Sequence, residues 1–473
     1  MHPGLRLLIL KKKKLNNMNF ISKNIRKVSV CLLIGLAGCS SAPTDPIVDA
    51  PLMGWNSFDS YGVYCHEKAA FDNMRVMAEQ YKPYGYTYFT IDNGWFGEYK
   101  LRPGTMYAAE KHASDIRINE FGLLQPSKTY FPNGLSKLID ECHKLGLKFG
   151  VHLMRGIPRK AVELNTPIKG TNYHARDIAD TTSVCNWCLY NYGVDMSKPG
   201  AQEFYNSLIE QLADWGVDFI KYDDIVPFPD EVEAVVKAIK NSKRNIVLSL
   251  SPGNELKENA FDTYHKADML RVTGDIWDNR YGIFACFKAW KKWNSQQKEG
   301  FWIDMDMIPF GKLQLMSPKM EGDENAIRLA GKGNTRESEL TPSEKRVFIT
   351  LRALSASPLI IGGDLPTMDK YSYELLTNKH MLEANQNGIM GHLVSEKDKV
   401  QIWSTPQKKG KGGWIGIFNL ADEPTVVDTD LNVMTDKYPC KKIYDVWNKK
   451  VIATSELSSL QVPAFDVIFL RYE

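Results

Sequence analysis

The sequence predicts an α/β chain: a (β/α)8 TIM barrel followed by a C-terminal antiparallel β-sandwich domain. Two observations carry the barrel. Between about residues 50 and 365 a short apolar run and a helix-like stretch alternate eight times, and nearly every run stops at a polar residue. One observation carries the second domain: beyond residue 387 the helical period disappears, and β-branched and aromatic runs are separated by turn-rich polar segments.

The chain starts with a segment that reads as an address. From Met18 the stretch MNFISKNIRKVSVCLLIGLAGCSSAPTDP has a basic start, a short apolar run and then Leu36-Ala37-Gly38-Cys39. That run is too short to span a bilayer and reads as a cleaved export signal. LAGC resembles a bacterial lipobox, which implies acylation at Cys39 and an exported protein held on a bacterial membrane by that lipid alone. Residues 1–39 are therefore expected to be a lipoprotein signal with its true start at Met18, and residues 40–50 a tether. The catalytic barrel is expected over 51–387 and the β-domain over 388–473.

The eight strands are expected in MGWNSF (53–58), YTYFTID (86–92), LKFGVHL (147–153), VDFIKYDD (217–224), NIVLSLS (245–251), DMLRVTGD (268–275), GFWIDMD (300–306) and SPLIIGGD (357–364). Of the helices, PGAQEFYNSLIEQLADWG (199–216) is the clearest, with Ser197 expected to cap it. Barrel enzymes place their chemistry at the C-terminal ends of strands. Those ends supply Asp92, His152, Asp223, Asp224, Ser251, Asp275, Asp304, Asp306 and Asp364. Any one acid could cap the next helix, but so many converging on one face point to a site. In the β-domain, GGWIGIFNL (412–420), KIYDVWN (442–448) and FDVIFLRY (465–472) read as strands.

Composition narrows the chemistry. The net charge of +3 arises in residues 1–38, which hold eight Lys or Arg and no acid; without them 51 basic residues face 56 acidic ones, a net of −5. A mildly acidic body gives no reason to expect nucleic acid as a partner. Nine His with no H-x-H or H-E-x-x-H argue against a metal site, and no cofactor motif is evident. Gly362-Gly363 is a poor phosphate loop. Beyond the signal, Cys65, Cys142, Cys185, Cys188, Cys286 and Cys440 remain, and disulfides are their expected use in an exported chain, with the partners left open. A ring of carboxylates suits glycoside hydrolysis, in which one acid attacks the anomeric carbon and another protonates the leaving oxygen.

MGWNSF, IDNGW (91–95), KYDD (221–224), RVTGD (271–275) and DMDM (304–307) resemble, in order, the signatures of glycoside hydrolase family 27, the α-galactosidases and α-N-acetylgalactosaminidases. The resemblance implies a retaining, exo-acting hydrolase that releases terminal α-linked galactose through a covalent glycosyl-aspartate. Asp223 matches the nucleophile and Asp275 the acid/base. Asp92, Lys221, Arg271 and Asp306 match ligands of sugar hydroxyls. Phe58 falls where a ring over the sugar is expected, and Trp55 lies in the same motif. Lys221 shares a strand face with Asp223 and is expected to keep it ionised, while Asp278 is expected to help keep Asp275 protonated.

Several positions depart from the pattern. Asn93 stands where the family has a second Asp, Gly94 where a Cys often follows, and His152 where an aromatic is common. Ser251 replaces a Glu that binds the 2-hydroxyl and leaves room for an acetamido group. Residues 154–188 form a long excursion after the third strand, with Trp187 a candidate platform on the leaving-group side. These departures keep two further activities of the family open, α-N-acetylgalactosaminidase and β-L-arabinopyranosidase. A surface lipoprotein that only captures glycan would not need both carboxylates.

Overall fold

A computed structural model describes residues 48–316 and 335–428, and most of 434–473 apart from 436–439, 441, 454–455 and 458. The signal, Cys39 and most of the tether lie outside the described residues. No described helix is long and apolar enough to cross a membrane.

Eight parallel strands form one curled sheet: β1 (Met53–Asn56), β2 (Tyr88–Ile91), β3 (Lys148–Met154), β4 (Phe219–Asp223), β5 (Val247–Leu250), β6 (Met269–Arg271), β7 (Trp302–Asp304) and β8 (Leu359–Ile361). They pair in sequence order from β1 to β7, and β8 pairs with β1. Among the described residues one bridge, Ile308 to Ile361, joins the β7 segment to β8. The interruption falls in DMDM, where Asp306 adopts a left-handed backbone (φ 71°) and the Met305 N–H turns to Ser357 Oγ at 3.1 Å. That kink brings Asp304 and Asp306 to the same end of the barrel.

The helices α1 (Glu67–Val76), α2 (Ser136–Lys144), α3 (Ala201–Trp215), α4 (Pro229–Ser242), α5 (Phe261–Tyr264), α6 (Arg280–Trp293), α7 (Pro342–Leu354) and α8 (Lys379–Gln386) wrap the sheet. Helix α3 departs from expectation at its start. Ser197 Oγ donates to Asp195 Oδ1 at 2.6 Å in the turn before it, and the capping position is Gly200 at φ 94°. Because the helix begins at Ala201, the cap falls at Gly200 and not at Ser197, and only glycine takes that backbone without strain.

The excursion after β3 is longer and more ordered than a loop. Ile157–Pro158, Asn191–Val194 and Ala179–Val184 make a three-stranded sheet, with short helices at Arg159–Leu164 and Ala175–Ile178. All six described cysteines are free thiols, which overturns the expectation of disulfides. Cys65, Cys142 and Cys286 are buried at separate places in the barrel wall, so none of the three meets another.

The C-terminal domain is a sandwich. Six antiparallel strands, β9 (His392–Lys397), β10 (Val400–Pro406), β11 (Gly413–Asn419), β12 (Ile443–Asp445), β13 (Lys450–Ile452) and β14 (Asp466–Tyr472), run in the order β9-β10-β11-β14-β12-β13. A two-stranded sheet, Thr425–Val427 with Leu460–Val462, belongs to the same core through Val427, Leu460 and Val462. Trp403 of β10 stacks on Trp290 of α6, with ring centroids 3.6 Å apart, and Phe418 meets Phe287 edge-on. Trp403 is fully buried, so Trp403→Ala is expected to cost about 3–5 kcal/mol. Urea unfolding checks this, and a loss under about 1 kcal/mol would mean that the stack is not what joins the domains.

Candidate active site

The strand-end residues converge at the C-terminal mouth of the barrel, and their exposure grades them by depth. The Asp92 and His152 side chains are 2% exposed, Asp223 15% and Asp275 50%. Asp92 therefore lies at the floor and Asp275 at the rim.

At the floor, Lys221 Nζ and Asn56 Nδ2 both donate to Asp92 Oδ2, at 2.8 and 2.7 Å, and the Asn93 N–H donates to Oδ1 at 2.8 Å. Burial alone would raise the Asp92 carboxyl. Lys221, His152 and the Asn93 N–H outweigh it and hold the group down to about 2. Burial likewise disfavours the Lys221 ammonium, but Asp92 and Asp306 raise it above its ordinary value. The floor is thus a preformed ion pair with lone pairs and protons to offer to hydroxyls.

Asp223 ends β4 above that pair. Its Oδ1 accepts from Ser251 Oγ at 2.6 Å and from the Asp224 N–H at 2.9 Å, and its Oδ2 faces His152 Nε2 at 3.5 Å. Burial again opposes ionisation, yet the His152 hydrogen bond, the Arg271 guanidinium and Lys221 hold Asp223 well below the usual carboxylate range. Lys221 acts on it at a distance, because its own hydrogen bond goes to Asp92. His152, Ser251 and the Asp224 N–H make the direct contacts.

Arg271 joins the two sides of the site. Its Nη1 lies 3.2 Å from both Asp275 Oδ1 and Asp306 Oδ1. Asp306 Oδ2 accepts the Ile276 N–H at 2.8 Å, which fixes the loop carrying Asp275. Burial of Asp275 against the site wall raises its carboxyl; Arg271 pulls the other way, and Asp306 and Asp223 push it back up. Asp278, expected to add to that repulsion, is instead neutralised by Arg336, whose Nε and Nη2 reach its two oxygens at 3.0 and 2.6 Å. A neighbour already paired contributes little field.

Other candidates sort by the face they occupy. Phe58 is half-buried, with Lys221 Nζ 5.8 Å from its ring centre and Trp277 6.2 Å away, so it belongs to the site wall. Trp55 does not. Its ring is fully buried and stacked on Phe89 at 4.8 Å, with its N–H on the Gly363 carbonyl. Adjacent residues on a strand face opposite ways, and Asn56 takes the inward direction. Asp364 is engaged by Tyr61, Asn73 and Thr367, which makes it structural. Asn93 Nδ2 lies 4.0 Å from Cys188 Sγ, and its buried Oδ1 has no donor among the described residues. Trp187, one residue before Cys188, is 50% exposed.

Family models match in two blocks: "Alpha galactosidase A" over residues 188–387 and "Alpha galactosidase C-terminal beta sandwich domain" over 397–472. The chain is 26% identical over 471 residues to Alpha-galactosidase A of Cellvibrio japonicus, covering 93% of this chain and 96% of that one. It is 34% identical to the solved family 27 β-L-arabinopyranosidase of Geobacillus stearothermophilus, with TM-score 0.81, covering 90% of this chain and 97% of the other. The chain belongs to glycoside hydrolase family 27. A third relative, a proposed α-N-acetylgalactosaminidase of Bacillus halodurans, is 31% identical with TM-score 0.76, covering 89% of this chain and 97% of that one.

For this glycoside hydrolase, sequence reasoning missed four groups near the site. Asn56 lies inside the first-strand motif and was within reach of the period-2 argument, while Trp277 stands two residues after Asp275 outside any strand. Arg155 contacts Asp224, 69 residues away, and no local signal announces that pairing. Asp59 is fully buried with neither oxygen hydrogen-bonded among the described residues, and burial together with Asp306 drives its carboxyl well up.

Proposed function

We propose that this enzyme is a retaining exo-glycosidase that releases terminal α-linked galactose from oligosaccharides or glycans. The observation that carries the reading is the contrast between two carboxylates of one site: Asp223 is held well below the usual carboxylate range, while the half-exposed Asp275 is pushed above it. Asp223 Oδ1 accepts two hydrogen bonds and Oδ2 one long one, so Oδ2 is the better nucleophile. It attacks the anomeric carbon as the bond to the leaving oxygen breaks and Asp275 delivers its proton there. Water then attacks the glycosyl-aspartate, Asp275 takes the water's proton, and Asp223 is regenerated. The buried Asp92–Lys221 floor supports exo action, because only a chain end can reach it. Arg271, Asp306 and Phe58 stand along the walls as further sugar contacts. Export and lipid anchoring at Cys39 belong to the same proposal.

Asn93 supports galactose, since its unpartnered Oδ1 can accept a hydroxyl proton beside Asp92, as the 6-hydroxyl would offer. A second reading, β-L-arabinopyranoside, is favoured by the missing charge at Asn93 and by the 34% identical arabinopyranosidase. Ser251 gives its hydroxyl proton to the nucleophile, so it can accept from the N–H of an acetamido group but has no proton left to donate to its carbonyl. Comparing kcat/KM on p-nitrophenyl α-D-galactoside, α-N-acetylgalactosaminide and β-L-arabinopyranoside separates the readings. Galactoside is expected to rank first, and a higher value on arabinopyranoside would replace the first reading with the second. Asn93→Asp is expected to raise the galactoside-to-arabinopyranoside ratio about tenfold or more, the worth of a hydrogen bond to a charge. An unchanged ratio would mean that Asn93 does not read C6.

A further inference from the structure

We infer that Arg155 and Asp224 form a clamp behind the nucleophile, positioning residues that fix the Asp223 carboxylate by holding the next peptide in a left-handed turn. Asp224 has φ 60°, a conformation that few side chains adopt and that persists only where its surroundings impose it. In that conformation its N–H points back to Asp223 Oδ1 at 2.9 Å. Arg155 supplies the restraint from β3's end. Its Nε donates to Asp224 Oδ2 at 3.0 Å and to the Asp224 carbonyl at 3.1 Å, and its own N–H donates to the Asp223 carbonyl at 2.9 Å.

The arginine is itself locked. Its Nη1 donates to Glu231 Oε1 of α4 at 2.7 Å, and Glu231 also takes the Tyr205 hydroxyl of α3. Its guanidinium lies 3.5 Å from the Phe228 ring centre, and Asn191 Nδ2 holds its carbonyl at 2.9 Å. Gly193 leaves the space: a Cβ there would lie 2.6 Å from Nη1. Both Arg155 and Asp224 are buried, at 2% and 5% exposure. A buried ion pair tied to two outer helices and to the carbonyls of the nucleophile and of the residue after it is a device for geometry, since replacing such a pair by apolar residues commonly leaves stability unharmed. Lysine cannot reproduce it, having no planar fork to serve Asp224 and Glu231 together.

The proposal rests on Asp223 being the nucleophile, and the test separates the two. Asp224→Gly accepts the left-handed turn but loses the anchor, Asp224→Asn keeps both the turn and an acceptor for Arg155, and Arg155→Lys removes the fork. Each is compared with wild type for kcat, KM, melting temperature and the rate of covalent labelling. The label is 5-fluoro-α-D-galactosyl fluoride, or its arabinosyl counterpart if the substrate comparison assigns that sugar, located by peptide mass spectrometry. Asp224→Gly and Arg155→Lys are expected to slow kcat and labelling about 10- to 100-fold, as sub-ångström misplacement does, with KM within about twofold. Asp224→Asn is expected to stay within about threefold of wild type. If Arg155→Lys does not fold, the glycine and asparagine variants decide. Labelling at the wild-type rate in Asp224→Gly, or a lower melting temperature with unchanged kcat, would overturn the clamp alone. Label on a carboxylate other than Asp223 would overturn the nucleophile assignment and the clamp with it.

Discussion

Asp223→Gly is expected to lower turnover of p-nitrophenyl α-D-galactoside by about 10⁴-fold or more, the scale seen when a covalent nucleophile is removed. KM should change far less, because Asp92, Lys221, Arg271 and Asp306 still grip the sugar. Glycine leaves space where the carboxylate stood, beside Ser251 and His152. Added azide is therefore expected to enter, attack the anomeric carbon from that side and restore turnover with a β-galactosyl azide as product. If the second substrate reading holds, the same result is read with the arabinopyranoside. Retention of more than about a tenth of wild-type activity would remove Asp223 from the mechanism, since sugar binding and the proton donor alone rarely sustain so much.

The second large effect concerns Asp275. Asp275→Asn is expected to depress kcat about 10²- to 10⁴-fold, the usual worth of a positioned proton donor. The loss should depend on the leaving group. A 2,4-dinitrophenyl glycoside departs without a proton, so its first step stays fast and the glycosyl-enzyme accumulates; azide then accelerates its breakdown. The pH profile follows from the direction of each shift. Asp275 must carry a proton, and its carboxyl lies above the ordinary value, so activity persists above the ordinary carboxylate pKa and falls as pH rises through the raised one. Asp223 must be ionised and is held well below the usual range, so its protonation does not limit activity in mildly acid solution. The alkaline limb should disappear in Asp275→Asn. An unchanged limb would assign the proton donor elsewhere.

How much of this was legible before the structure depends on distance along the chain. Strand number and order were readable because barrel strands are covered on both faces and stand out as apolar runs, and their polar ends marked the catalytic rim. Asp92, His152, Lys221, Asp223, Ser251, Arg271, Asp275 and Asp306 do meet in one site at that end of the barrel, from its floor to its rim. Which way a side chain faces was harder. In β1 all four residues are buried, so hydrophobicity cannot tell the core-facing Trp55 from the inward Asn56. Partnerships between distant segments were out of reach altogether. Nothing near Asp278 signals that Arg336 neutralises it, and nothing near Asp224 signals Arg155. Ser197 missed for a local reason: the helix begins at Ala201, so its cap falls at Gly200, three residues further on.

The depth gradient from Asp92 to Asp275 and the charge contrast between Asp223 and Asp275 converge on one claim, double displacement with net retention at the anomeric carbon. The most direct measurement is the anomeric configuration of the first-formed product, followed by proton NMR during hydrolysis by the wild-type enzyme before mutarotation sets in. The account predicts the configuration of the substrate, α-galactose from an α-galactoside or β-L-arabinopyranose from a β-L-arabinopyranoside. First appearance of the opposite anomer would contradict it, because a water attacking directly would leave Asp223 as a base and not as a nucleophile.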